Sequence, residues 1–220
     1  MLYMDIHTHQ SPEFPEEKAI VNTIVDEREY AQLQQEMQRQ QGWQSAGIHP
    51  WYIYNVRAQL EKLQMLVETL PIVAIGEAGL DKLCDTPMDW QQEAFRQQVQ
   101  MAEDYQKPLI VHCVKAWPEL IAVKKQLRPV QPWIIHGFRG NGVLASQLIA
   151  QGCFLSFGAK YNPLALQAAW PLHLLAETDE SPINIRMVYG SIAKSLHITL
   201  EELAQQIESQ LKSRIFARML

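Results

Sequence analysis

The fold the sequence predicts is a (β/α)8 barrel of the TIM type with some crossovers cut short, and three observations predict it. Short apolar runs alternate with longer amphipathic stretches from end to end, the pattern of parallel strands joined by helical crossovers. Eight such runs occur, at 2–6, 19–25, 43–48, 72–76, 108–111, 133–135, 153–157 and 172–176. Histidines and carboxylates follow one run after another, where strands are expected to end, and in a parallel barrel those ends open on one mouth.

The first run leads into His7 and His9. Residues 10–18 then read Gln-Ser-Pro-Glu-Phe-Pro-Glu-Glu-Lys, with two prolines and too little length for a crossover helix, so the barrel is trimmed there. The total agrees: 220 residues fall short of the roughly 250 usual for this fold. Residues 57–70 place Leu60, Leu63, Val67 and Leu70 on one helical face, and residues 90–106 do the same with Phe95, Val99 and Ala102, leaving Gln and Glu elsewhere. The last helix begins at Thr199, which forms a capping box with Glu202 and turns Leu203, Ile207 and Leu211 inward.

With 47% hydrophobic and 20% charged residues there is apolar material for one sizeable core, and no repeat, linker or low-complexity tract divides the span 1–220, which is expected to form one domain. A net charge of -5 argues against a broad basic surface, although a local cationic patch beside a metal can still hold a phosphate. Cys84, Cys113 and Cys153 are odd in number and widely spaced, as expected of reduced thiols in the cytoplasm. No basic segment precedes an apolar one at the start, and no apolar stretch is long enough for a bilayer, so neither secretion nor membrane insertion is expected.

The chemistry rests on six residues. His7 and His9 are two apart, which on a strand puts both imidazoles on one face. Glu77 follows Ile-Val-Ala-Ile-Gly, His112 follows Leu-Ile-Val, His136 follows Trp-Ile-Ile, and Asp179 follows Leu-Leu-Ala-Glu-Thr. Neutral imidazole suits first-row metals, and a bridging carboxylate such as Glu77 can hold a second ion about 3.5 to 4 Å from the first. Zn, Mn, Mg, Fe and Ni all suit such ligands. Asp179 is the candidate general base. His49, in Ala-Gly-Ile-His-Pro-Trp, is a candidate substrate contact, as are Lys115 and Arg139 for phosphate, with solvated surface charge the default for both cations. Asp81 is a candidate outer partner of a ligating histidine. The tryptophans read as packing, with Trp51 next to the expected mouth.

In this order, Asp-Ile-His-Thr-His, Gly-Ile-His-Pro, Ile-Gly-Glu-Ala-Gly-Leu-Asp, Ile-Val-His-Cys, Ile-His-Gly-Phe and Glu-Thr-Asp resemble the TatD family of metal-dependent hydrolases, a branch of the amidohydrolase-like TIM barrels. The resemblance covers most of the chain. It implies a site of two divalent metal ions, with His7, His9, Glu77 and Asp179 on one and Glu77, His112 and His136 on the other. It also implies phosphodiesterase or deoxyribonuclease activity through a water activated by both ions, with a phosphodiester substrate such as DNA. Two departures stand out. Val114, followed by Lys115, occupies the position where family members commonly carry an arginine, and Lys offers a point charge without the bidentate fork. The segment after Asp179 is also short, so the barrel is trimmed after its last strand as well. Hydrolysis of a C–N or ester bond at the same centre is the second reading. A non-catalytic binding barrel is the third, and it predicts an eroded ligand set where all six positions are filled.

Overall fold

The computed structural model describes residues 1–216; positions 217–220, the end of the expected domain, lie outside the described residues. Eight strands are hydrogen-bonded neighbours in chain order: β1 (Tyr3–Thr8), β2 (Glu17–Ile24), β3 (Trp43–Gly47), β4 (Ile72–Asp81), β5 (Leu109–Val114), β6 (Trp133–Ile135), β7 (Phe154–Phe157) and β8 (Leu174–Ala176). The ladders β3/β4, β4/β5, β6/β7 and β7/β8 are parallel. The helices are α1 (Tyr30–Arg39), α2 (Val56–Thr69), α3 (Met88–Asp104), α4 (Trp117–Leu127), α5 (Gly142–Ala150), α6 (Pro163–Ala169), α7 (Ile185–Leu196) and α8 (Leu200–Gln210). The fold class is the expected (β/α)8 barrel, and no helix separates β1 from β2, where the prolines predicted a shortened crossover. Among the described residues no helix is long and apolar enough to cross a membrane.

Two compact units make up the chain: a terminal unit of residues 1–20 and 132 onward, and a central unit of residues 21–131. In the terminal unit, Ile6, Trp133, Phe157 and Tyr189 are fully buried. The Tyr189 hydroxyl ties α7 to β1, donating to the Met4 carbonyl and accepting from its amide, both at 3.0 Å. The helix starts share one device, since the side chains of Asn141, Asn162 and Asn184 accept backbone N–H groups that would otherwise lack a helical partner. Thr199 and Glu202 form the predicted capping box, and Leu203, Ile207 and Leu211 are buried.

In the central unit, α2 and α3 begin one or two residues before the sequence expectation. Phe95, Val99, Ala102, Leu63 and Val67 face inward as read, but Leu60 and Leu70 are only half-buried. Three glutamines, by contrast, are buried: Gln59, Gln91 and Gln98. Helical periodicity assigns a polar residue to the solvent face, but a primary amide with donor and acceptor can satisfy loop backbone inside the protein, which removes the cost of burying it. Gln98 accepts from the Ile48 amide at 2.7 Å and donates to its carbonyl at 3.1 Å. Gln91 does the same for Asp81, at 2.7 and 3.0 Å. Gln59 donates to the carbonyls of Val25 and Tyr52 and accepts from the amides of Tyr54 and Asn55. These amides hold the backbone on which His49 and Asp81 sit.

Candidate metal centre

In the terminal unit β1 delivers His7, fully buried, and His9 directly after it. Asp179 does not lie at the end of a strand, because β8 stops at Ala176; an isolated parallel bridge, Thr8 with Asp179, holds it instead. The Asp179 amide donates to the His7 carbonyl at 3.0 Å, the His9 amide reaches the Asp179 carbonyl at 3.4 Å, and Asp179 takes a left-handed backbone with φ of 57°. Its Oδ1 then stands 3.7 Å from His7 Nε2 and 3.8 Å from His9 Nε2. His136 follows β6, its ring 4.4 Å from that of His7.

Beside His136 is a carboxylate the sequence reading passed over. Glu177 is buried, with Oε1 3.6 Å from His136 Nδ1 and accepting from the Gly137 amide at 2.5 Å. Burial pushes its pKa up, but hydrogen bonding and charge from His136, then His7 and Ser156, outweigh burial and hold it below the usual range. The available signal was its place two residues before Asp179 in Glu-Thr-Asp, since alternate residues of an extended segment share a face. Asp5 lies in the same unit, where burial pushes it up to about 7 against hydrogen bonds from Thr178 Oγ1 at 2.5 Å and the Thr178 amide at 3.0 Å.

In the central unit Glu77 and His112 do not end their strands as expected, because β4 continues to Asp81 and β5 to Val114. The ladder pairs Ile75 with Leu109 and Ala78 with Val111, so β4 carries one residue more than β5 across Gly76 and Glu77. Such a bulge re-aims a side chain without ending the strand. Asn22 Oδ1 accepts the Glu77 amide at 2.8 Å. Glu77 Oε1 lies 2.8 Å from His112 Nδ1 and 3.2 Å from His49 Nε2, and the two imidazole rings are 4.4 Å apart. His49, read as a substrate contact, is thus grouped with Glu77 and His112. A Cβ on Gly79 would sit 1.9 Å from the His112 carbonyl oxygen, so only glycine lets β5 approach here.

Asp81 stands where an outer partner is expected. Its Oδ2 is 3.4 Å from His112 Nε2 and accepts from the Trp51 indole at 2.6 Å. Burial pushes the Cys113 thiol up to about 12, which keeps it protonated. Lys115 is exposed directly after β5.

The donor sets fit divalent metal. Imidazole and carboxylate atoms about 2.0 to 2.2 Å from a tetrahedral ion lie roughly 3.4 Å from each other. The separations of 3.2, 3.6, 3.7 and 3.8 Å are close to that spacing, while Glu77 and His112, at 2.8 Å, stand at hydrogen-bond distance. Among the described residues, three such groups lie each within one unit: His7 with His9 and Asp179, His136 with Glu177 and Asp179, and His49 with Glu77 and His112.

Residues 5–216 match the family described as TatD related DNase. The chain belongs to that family. A 3'-5' ssDNA/RNA exonuclease TatD of Pantoea ananatis is 32% identical over 173 residues, covering 73% of this chain and 66% of the relative. The metal-dependent hydrolase YabD of Bacillus subtilis is 29% identical over 167 residues, covering 66% of this chain and 65% of the relative. The human 3'-5' RNA nuclease TATDN2 is 30% identical over 169 residues, 70% of this chain but 22% of that protein. The match therefore spans about two thirds of the two bacterial relatives and less of the human one. Among solved structures, the TatD homologue YjjV of Escherichia coli superposes with a TM-score of 0.80 at 23% identity, over 97% of both chains. A TatD family hydrolase of Entamoeba histolytica gives 0.75 at 16% identity over 98% of both, so these members share the fold at low identity.

Proposed function

We propose that this TatD family chain is a divalent-metal-dependent phosphodiesterase that shortens single-stranded DNA or RNA. The observation that carries the reading is the set of imidazole and carboxylate groups held at ligand-to-ligand spacing in both units. The ligands are assigned as His7, His9, His136 and Asp179 of the terminal unit and Glu77 and His112 of the central unit, for two ions in all. Divalent ions supply charge for the phosphate oxygens and make water acidic enough to react near neutral pH.

The protein's own groups do the rest. Asp179, 31% exposed in its side chain, can both reach water and accept its proton, as a general base must. Glu77, 5% exposed in its side chain, holds its carboxylate between the His112 and His49 imidazoles, where it serves as a fixed negative charge for a metal ion. His49 is assigned to the substrate or leaving-group oxygen, and the exposed Lys115 to the phosphate backbone as a point charge.

The test is cleavage of end-labelled single-stranded DNA and RNA by the purified chain, with and without chelator and with Mg, Mn or Zn restored, alongside metal content by elemental analysis. Cleavage abolished by chelation and restored by one metal supports the reading. Stoichiometric metal without phosphodiester cleavage overturns the substrate assignment, and absence of metal binding overturns the site.

A further inference from the structure

Among the described residues of the central unit, Trp51 is the most exposed large aromatic side chain. It sits in a short helical turn, Pro50–Tyr52, directly after His49, and 57% of it remains exposed. Leaving that much indole in water forgoes much of the stabilisation that burial of a large apolar side chain brings. The ring is nevertheless fixed. Its Nε1 donates to the buried Asp81 carboxylate at 2.6 Å, and its backbone amide donates to His49 Nδ1 at 3.1 Å. The indole meets the His49 ring edge-on at 5.1 Å and lies 6.2 Å from that of His112. A side chain that is held at its polar edge and bare on its face is preorganised to receive a flat apolar group.

The surroundings select which group. A recess of about 450 Å³ opens beside the indole, lined by Leu83, Val114, Thr86, Asp81 and Asp85 as well as Trp51. Neither Lys nor Arg lines it, and Lys82 nearby is engaged by Glu119 at 2.6 Å. Two carboxylates repel a phosphate but leave a neutral ring unopposed, and a carboxylate accepts hydrogen bonds from the exocyclic amines of bases.

We propose that Trp51, fixed by Asp81, is the stacking platform for the nucleobase beside the scissile phosphodiester. The inference rests on the phosphodiesterase reading above and adds the part of the substrate that the protein grips. Val114 supports it by presenting an apolar wall to the same recess.

The test pairs Trp51→Ala and Trp51→Phe with two kinds of short single-stranded DNA, one intact and one abasic at the nucleotides flanking the first bond cut. Binding is read in chelator by fluorescence anisotropy, and cleavage is read with metal restored. Trp51→Ala is expected to weaken binding and raise KM for the intact strand roughly tenfold with kcat within about twofold, while Trp51→Phe keeps most of the affinity. The abasic strand is expected to lose the same factor with the wild type and no more with Trp51→Ala, the signature of one shared interaction. If Trp51→Ala still distinguishes intact from abasic strand as the wild type does, or if the wild type binds neither, the stacking proposal is overturned. If the wild type binds both strands differently but cleaves neither with any metal, the phosphodiesterase reading fails while Trp51 remains supported as the base-binding residue.

Discussion

The terminal and central units build their histidine and carboxylate groups by different means. In the terminal unit, Asp179 is 31% exposed in its side chain and stands 3.7 and 3.8 Å from His7 and His9, on a turn held by backbone hydrogen bonds to β1. In the central unit, Glu77 is 5% exposed and lies 2.8 and 3.2 Å from His112 and His49. The support differs as well: buried carboxylates, Asp5 and Glu177, underlie the terminal group, whereas the central one has a single buried carboxylate, Asp81, with neutral amides from Asn22, Gln91 and Gln98 holding its backbone. The lesson is that a wet carboxylate can exchange protons with water, whereas a dry one among imidazoles serves best as fixed charge. That division is the basis for proposing Asp179 for proton transfer and Glu77 for holding metal.

Four sets of substitutions test this contrast. The largest effect is expected from Glu77→Gln, which removes the fixed charge while keeping the shape. It should lower metal content and reduce cleavage by roughly a thousandfold or more, read by elemental analysis beside a rate assay. Asp179→Asn should reduce kcat by about 10² to 10⁴ with a smaller loss of metal, since a general base contributes on that scale. Equal metal loss in the two variants would erase the distinction between them. Next come the outer carboxylates: Asp81→Asn and Glu177→Gln should each cost about 10- to 100-fold in metal affinity, measured by titration into metal-free protein. A loss seen in one alone would mean that only that unit depends on its outer shell.

The smaller effects concern stability. Gly79→Ala forces a Cβ against the His112 carbonyl and should destabilise by about 2 kcal/mol or more, while Thr199→Ala, which removes a cap far from the chemistry, should cost about 1 kcal/mol. Urea unfolding measures both. Cleavage should fall with Gly79→Ala and hold with Thr199→Ala when each is assayed well below its unfolding midpoint.

Much of this was legible in the residues alone. The eight apolar runs overlap the eight strands, because burial on both faces demands continuous apolar sequence in a parallel sheet. The Thr199 box and the missing first crossover helix were readable because caps and prolines act over a few residues. The six proposed ligands were read from their place after apolar runs, a pattern that needs no long-range information. What the tertiary structure decided depends on partners far apart in sequence. The bulge at Gly76 and Glu77 arises from β5 packing on β4, and strand length past Glu77 and His112 follows from that pairing. Gln59, Gln91 and Gln98 turn inward because distant loop backbone meets both ends of their amides, although periodicity alone places them in water. Glu177 joins His136, His49 joins Glu77, and Trp51 is fixed by Asp81. Local sequence sets which residues can ligate, cap or pack, because those propensities belong to one segment. Which of them meet, at what distance and how dry, is set by the folding of segments many residues apart.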